Sequence, residues 1–572
     1  MKETKQMTGE FPDSNGAVSS EQAGWYAIDW QKAQRLTNRL QARIVKATRE
    51  GRWGKVRSLQ HLLTHSFSAK AQAVKRVTEN EGRRTSGVDN QRWETPARKL
   101  QAIAQLRQRG YQPQPLKRIY IPKRNGKLRP LSIPTMKDRA MQALYAAALQ
   151  PVAETLADPN SFGFRKQRAT IDAIEYCFAW LSRKDSPQWV LEADIRSCFD
   201  RISHDWLIKN VPMDKQILTK WLKAGFMDKN LLHPSEEGTP QGGIISPILA
   251  NLALDGLQSA LATRFKKVHR SHGNVYPKVH LIRYADDFII TAAEQETMEE
   301  IRALVEEYLG ERRLELSKEK TRITHISEGF DFLGRNLRKY NQKLIICPSQ
   351  ENNLAIRQKV RKLIKSNKQV SASDLIAYLN PVIRGWANFH QHTCSSRAFR
   401  RLDITVFNAL WKWALRRHKR KGKKWIKRKY FCREGNRNWI FCGEPIGKKD
   451  GRVIQPKLFY ASSVKIRRHV KIRTHANPFD VEWETYFEER WQKQMLQSLQ
   501  GRKQLLFLWK EQKGKCPLCQ LAITQETGWH NHHIEWRVHG GKDSSENRVL
   551  LHPECHRKVH SLHLKVDKPR HF

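Results

Sequence analysis

The chain has 572 residues, with 104 Lys and Arg against 56 Asp and Glu, giving a net charge of +48. Such self-repulsion excludes an enzyme that meets only small neutral molecules. It calls for a polyanion, whose condensed counterions are released as Lys and Arg replace them. No apolar run is long enough to span a bilayer and the polar start MKETKQMTGEFPDSNG has no signal-peptide core, so a cytoplasmic protein of about three or four domains, with no membrane partner, is expected.

Residues 1 to about 25 are polar, with Gly, Ser and Pro, a composition that predicts disorder. From Ile28 to Val77 the spacing of Trp30, Ala33, Leu36, Leu40, Ile44 and Val45 predicts helix, followed by more basic helix. RRTSGVD, residues 83–89, reads as a Gly-containing loop that presents Arg83 and Arg84. In RIYIPKRNGKLRPLSIP, Asn125-Gly126 between two apolar runs predicts a hairpin carrying Lys123 and Arg129. Arg139 to Leu156 is Ala-rich and helical. From Trp189 to Phe332 the short apolar runs WVLEADI, VHLIRYADDFIITAA and FDFLG alternate with helical stretches, which predicts an α+β or α/β layer rather than a bundle. Beyond about residue 350 the pattern is helical and basic. Arg416 to Lys429 reads RRHKRKGKKWIKRK, ten Lys or Arg in fourteen residues. Residues 430–500 show no period, and no fold is read there.

The strongest chemical signal is LIRYADDFIITA, residues 281–292. Its two β-prone runs place Asp286 and Asp287 at a hairpin tip, where adjacent carboxylates repel unless a hard cation such as Mg²⁺ neutralises them. Asp194, ending the apolar run of LEADIRSCFD, adds a third carboxylate. Together Asp194 and Asp286 are a set for two metal ions in phosphoryl transfer. An Asp-Asp pair alone also fits a solvated turn.

Six blocks in order decide between those readings: IPKRNGKLRP, ADIRSCFD, GTPQGGIISPILAN, YADD, LSKEKT and FDFLG. Over about 250 residues they resemble the reverse transcriptase family. The resemblance implies Asp194 and Asp286 as Mg²⁺ ligands with Asp287 in support. It implies Phe199 as the ring that excludes a 2′-hydroxyl, and Lys123 and Arg129 as binders of the incoming deoxynucleoside triphosphate. Gln241-Gly242-Gly243 would let the backbone approach nucleotide or template, and Lys320 would sit near the leaving phosphate; an ordinary surface lysine is its alternative.

The stretch AVKRVTENEGRRTSGVD, the stretch LNPVIRGWANFHQHTCSSRAFRRLD at 379–403 and a terminal nuclease pattern make the chain resemble group II intron-encoded proteins of bacterial type. In the 379–403 stretch Ile383, Trp386 and Phe389 are expected as an apolar stripe, with Arg384, Arg397, Arg400 and Arg401 toward RNA. The run at 416–429 offers Arg416, Arg417, Lys419, Arg420, Lys423 and Lys424 to an RNA backbone, with Trp425 for stacking.

The last 57 residues hold three of the nine cysteines. CPLC at 516–519 followed by His552-x-x-Cys555 gives four ligands, Cys516, Cys519, His552 and Cys555, at the spacing of a structural Zn²⁺ site. His532-His533, Asn547 and His556-x-x-x-His560 resemble the HNH, or ββα-metal, endonucleases. The resemblance implies His532, His556 and His560 around a catalytic Mg²⁺ or other divalent ion, His533 as general base and Asn547 as a loop-fixing hydrogen-bonder. Two departures stand out: His552 where a cysteine is commoner, and Glu535-Trp536 after the HHI.

The resulting expectation is a multidomain α+β chain: an N-terminal extension (1–82), reverse transcriptase fingers and palm of right-hand type (83–345), a helical thumb/maturase domain (346–430), a DNA-binding region (431–501) and a zinc-containing HNH module (502–572). Its implied partners are intron RNA in a ribonucleoprotein, double-stranded target DNA and deoxynucleoside triphosphates, with the nucleoid reached through the DNA. The competing readings are a splicing-only maturase with inactive sites and a reverse transcriptase of another mobile element or defence system.

Overall fold

The computed structural model describes residues 24–122, 126, 128–266, 268–270, 273–275, 277–447, 453–499, 503–535 and 544–568. Lys123, Asn125, Trp536 and nearly all of the polar leader lie outside the described residues.

The stretch predicted as helix after Ile28 is three helices, α1 (Trp30–Arg49), α2 (Trp53–His65) and α3 (Phe67–Glu79). Asp29 caps α1 and Ser66 caps α3, each accepting a backbone N–H of the first turn. Helix α4 (Pro96–Gln105) packs on α3, and α1, α2 and α3 pack against α5 (Met136–Leu156), which is buried on nearly all sides because its Ala-rich surface admits neighbours closely. The RRTSGVD loop begins two residues later than expected, since Glu81–Arg84 winds as a 3₁₀ turn. Buried Arg139 clamps it, donating to the carbonyls of Pro134 (2.9 Å), Gly82 (3.0 Å) and Thr85.

The fingers hairpin pairs β1 (Leu116–Pro122) with β2 (Leu128–Ile133), with Gly126 at φ +79° in the connection. Two short strands, Phe226–Asp228 and Leu231–His233, extend that sheet. The palm is a four-stranded antiparallel sheet of β3 (Trp189–Asp194), β4 (His280–Tyr284), β5 (Asp287–Ala292) and β6 (Arg322–His325), in the order β6–β3–β5–β4. Helices including α6 (Thr170–Leu181) and α7 (Ser246–Leu254) flank it. Burial on both faces explains why β3 and β5 read as nearly continuous apolar runs.

A three-stranded sheet, β7 (Phe330–Phe332), β8 (Arg335–Tyr340) and β9 (Lys343–Pro348), leads to three helices in the stretch expected as the thumb, α8 (Gln350–Ser366), α9 (Ala372–His390) and α10 (Ser396–Arg417). Ser349 and Ser371 cap α8 and α9. The expected stripe on α9 needs correction. Ile383 is wholly buried, but Trp386 is half-buried and Phe389 is 43% exposed, lying 4.3 Å from the Arg335 guanidinium. Steps of three drift off a 3.6-residue turn, and the buried line is instead Leu375, Ile376, Leu379, Ile383, Ala387 and His390.

The segment expected as one DNA-binding region divides its packing between two cores. After α11 (Lys423–Tyr430), the hairpin of β10 (Phe431–Glu434) and β11 (Arg437–Phe441) buries Phe431 and Phe441 in the thumb core. From Arg467 the chain returns to the palm, burying Ile472 and Ala476 beside Ile174 and Cys177 of α6. Wholly buried Asp172 of α6 accepts hydrogen bonds there from the Ile472 amide (2.8 Å), Arg490 Nη2 (2.6 Å) and His469 Nε2 (2.9 Å). Arg490 lies on α12 (Glu484–Ser498), which leads into the last module. That module is small: a hairpin of β12 (His530–His533) and β13 (Arg548–Leu551), the helix α13 (Pro553–Ser561), and a core of Leu508, Ile523, Val549, Leu550 and Val559. Among the described residues no helix is long and apolar enough to cross a membrane.

Candidate active sites

The palm carboxylates are brought together by strand register. Asp194 at the end of β3 lies opposite Asp287, the first residue of β5, and Tyr284 of β4 faces Asp287 from the other side. Ala285 and Asp286 form the two-residue turn between β4 and β5, with Ala285 at φ +60° as tight hairpins require at their first central position. Asp286 is therefore at the tip, and Asp287 begins the strand.

Charge crowding marks the site. Burial, a hydrogen bond with Asp194 and the charges of Asp286 and Asp194 push the Asp287 carboxyl up to about 7, although its side chain still meets solvent. Burial and the charge of Asp194 raise Asp286 as well, while its own amide, Arg129 and Lys320 oppose the rise. Lys320, the residue whose surface alternative was open, donates from Nζ to Asp194 Oδ2 at 2.7 Å. Three crowded carboxylates could hold divalent cations, whose charge would take the place of the shared proton.

Arg129 of β2 donates from Nε to Gln241 Oε1 at 2.9 Å, and Gln241 Nε2 donates to Asp200 Oδ2 at 2.9 Å. This chain ties fingers to palm. Phe199 is half-buried and meets Phe164 edge-on at 6.0 Å. Glycine at 242 also meets a need within the protein. At φ +118° a Cβ there would lie 2.5 Å from the Ser132 carbonyl, so the loop approaches β2, and the Ser132 amide donates to the Gln241 carbonyl at 2.7 Å. A Cβ at Gly243 would meet Ser246 Oγ at 2.7 Å. Both glycines admit protein backbone and side chains.

Sequence reasoning missed the residues that hold the turn. A Cβ on Gly163 would lie 2.2 Å from the Ala285 nitrogen, so only glycine fits behind the hairpin tip. Arg283, 1% exposed, donates to Asn251 Oδ1 at 3.2 Å and pairs with buried Asp255, while Asn251 donates to the Gly163 carbonyl at 2.9 Å. Burial pushes Asp255 up to about 6 against the pull of Arg283. The available signal was an arginine inside the apolar run LIRY.

In the nuclease module, two groups of three or more His, Cys, Asp or Glu have all their donor atoms within 4.8 Å of one another. Among the described residues no other group is so tight, the palm acids included. The first is Cys516, Cys519, His552 and Cys555. His552 Nε2 donates to the Ala522 carbonyl at 3.1 Å, which turns Nδ1 toward Cys519 Sγ at 3.2 Å. Contacts with Cys519 and Cys555 hold the Cys516 thiol well below its ordinary value; burial opposes this. Three sulfurs and an oriented imidazole suit a thiophilic dication, so histidine at 552 preserves the donor set.

The second group is His532, His556 and His560. The two helical rings face one another through their Nε2 atoms at 3.2 Å, as a spacing of four on α13 requires. Burial and His560 lower His532 to about 4 and His556 to about 3, so the rings are neutral and offer lone pairs. His533 follows His532 on β12, half-buried and directed to the other side of the strand. Asn547 acts on the loop: its Oδ1 accepts the Glu535 amide at 2.7 Å and its Nδ2 donates to the Glu535 carbonyl at 2.9 Å.

The basic residues divide by exposure. Arg84, Arg384, Arg397, Arg400, Arg401, Arg416, Lys419, Arg420, Lys423 and Lys424 are exposed. Arg417 is exposed too but donates to the carbonyls of Lys368 (3.2 Å) and Val370 (2.9 Å), and half-buried Trp425 packs edge-on to His418. Arg83 is half-buried and lies among the charges of Arg557 and Glu554 of the nuclease.

Four family profiles match in order: N-terminal domain of reverse transcriptase (25–106), Reverse transcriptase (RNA-dependent DNA polymerase) (121–337), Group II intron, maturase-specific domain (354–431) and HNH endonuclease (516–562). The chain is 34% identical over 305 residues to Protein YkfC of Escherichia coli, covering 47% of this chain and 79% of that protein. It is 31% identical over 329 residues to Group II intron-encoded protein LtrA of Lactococcus lactis, covering 46% of this chain and 54% of LtrA, about half its length. Maturase-like protein 1 of Euglena gracilis is 25% identical over 376 residues, 64% of this chain and 77% of that one. With polymerase, maturase and nuclease domains in one polypeptide, the chain belongs to the group II intron-encoded reverse transcriptases that carry an HNH endonuclease.

Proposed function

We propose that the chain copies intron RNA into DNA from a 3′ end that its own nuclease makes in target DNA, and that it assists splicing of the same RNA. The observation that carries the reading is the register that sets Asp194 against Asp287 beside the Asp286 turn, with Lys320 on Asp194.

Asp194 and Asp286 hold the divalent ions of the palm, with Asp287 in support. Two Mg²⁺ bound there supply activation of the primer 3′-hydroxyl and charge for the departing pyrophosphate. Arg129, braced by Gln241, would bind the triphosphate as a planar fork and Lys123 as a point charge; Lys320 adds positive charge where the leaving group departs. The Phe199 ring closes the space a ribose 2′-hydroxyl needs, which selects deoxynucleotides.

In the nuclease, Cys516, Cys519, His552 and Cys555 would hold a structural Zn²⁺ that reinforces the module's small core. His532, His556 and His560 hold the catalytic divalent ion, and His533 takes the proton from the attacking water. Intron RNA lies against the exposed Arg and Lys of the thumb and of α11, read by shape and backbone.

Primer extension on an RNA template tests the polymerase: the native chain makes cDNA and Asp286→Asn does not. Sequencing the RNA that copurifies with the chain tests the partner, since this reading requires an excised intron. Splicing by a chain that makes no cDNA would favour the splicing-only alternative.

A further inference from the structure

The nuclease is anchored to the N-terminal helices by the helix that carries its metal ligands. Along α13 stand Cys555 of the four-donor group and His556 and His560 of the three-imidazole group. Their neighbour Glu554 is 4% exposed and reaches the N-terminal region. Its carboxylate pairs with Lys99 of α4, the two side chains being 5% and 6% exposed, and its Oε1 accepts the Trp25 indole N–H at 3.3 Å. Arg557 grips Oε2, with Nε at 2.5 Å, and Lys558 donates to the Tyr26 carbonyl. Glu79, Lys75 and Arg83 complete the charged surroundings.

Around this anchor the packing is open. Clefts of about 250 and 290 Å³ remain between the two parts, one lined by Trp25, Lys75, Cys519 and Glu554, the other by Arg76, Lys166 and His552. The apolar share of the contact comes from Leu521 and Leu562 against the N-terminal core. Orientation thus depends on directional polar contacts. A buried ion pair is suited to that, because displacing either partner strands a charge away from water.

We propose that Lys99 and Trp25, acting through Glu554, are positioning residues for the nuclease: they fix the face that α13 presents to target DNA, so the bond that is cut lies at one set distance from the polymerase site. The inference rests on the nuclease reading above. A nicked 3′ end must reach the palm, and a nuclease held at one angle delivers that end in one register.

The test uses the full chain bound to its intron RNA and an end-labelled duplex spanning the joined flanking exons. Nick position at nucleotide resolution, nicking rate, primer extension and bound metal are measured together. The native chain cuts one bond. Lys99→Glu and Glu554→Lys spread the cuts over neighbouring bonds and slow cutting at the native bond by about tenfold, with primer extension unchanged. The double charge swap cuts nearer the native bond than either single variant, since it restores the Lys99 contact but not those with Trp25 and Arg557. Because Glu554 adjoins a metal ligand, Lys99→Met and Trp25→Ala make the same test from the N-terminal side, leaving bound metal as in the native chain. Native position and rate in both of those variants overturn the inference while leaving the nuclease reading intact. A native chain that binds the duplex and cuts nothing removes both.

Discussion

The palm and the nuclease each gather side chains able to ligate metal, by opposite means. In the palm, backbone register does the gathering: Asp194 and Asp287 face across two strands of a sheet buried on both faces, and Asp286 rides a two-residue turn. The two strands are held by their own buried side chains, and the crowding of the acids shows in the raised Asp287 carboxyl. In the nuclease, two donor groups within 4.8 Å stand on a short hairpin, a loop and one helix around a small core. Metal is therefore expected to be reactant machinery in the palm and part of the fold in the nuclease.

Metal removal should separate the two most strongly. A chelator, or Cys519→Ser, is expected to unfold the nuclease module, since structural Zn²⁺ contributes on the order of 10 kcal/mol in small modules. Hydrogen exchange should show loss of protection at 516–560 with palm strands still protected; equal loss in both would erase the contrast. Next, Asp286→Asn should lower primer extension by about a thousandfold or more, as loss of a metal ligand does, yet leave the melting temperature unchanged or raised because a repelling charge is gone. A marked fall in melting temperature would show that the acids hold the palm together.

Gly163→Ala sharpens the palm side. The new methyl would press on the Ala285 nitrogen, costing about 1–3 kcal/mol of stability and displacing the Asp286 turn. Reduced cDNA synthesis with unchanged nicking is expected, read by the two assays on one preparation. The smallest effect is Lys320→Met. It removes a half-screened ammonium from Asp194 and should slow nucleotide incorporation by about tenfold, with little change in unfolding. An unaltered rate would return Lys320 to the surface.

How much of this was legible in the sequence follows from the range of the contacts. The Asp286 hairpin and the Cys516–Cys519 pair are local patterns, visible in a dozen residues. The meeting of Asp194 with Asp287 needed the family resemblance, since nothing local specifies partners about ninety residues apart. Gly163, Asn251, Arg283 and Asp255 escaped because each acts on a residue distant in sequence; the only local trace was a charge in the buried strand Leu281–Tyr284. Phe389 was misplaced by reading steps of three as one helical face. The 431–501 stretch resisted because it packs on two cores and has no period of its own. Glu554 looked like an ordinary residue between ligands, and only the fold shows Lys99 against it.

If one chain runs two separable metal chemistries in sequence, a target-primed assay on one DNA reads both. Asp286→Asn should nick the intact duplex and make no cDNA. His556→Ala should leave the intact duplex uncut, yet make cDNA at the native rate when the strand is supplied already nicked. cDNA from the first variant, or none from the second on nicked DNA, would contradict the account.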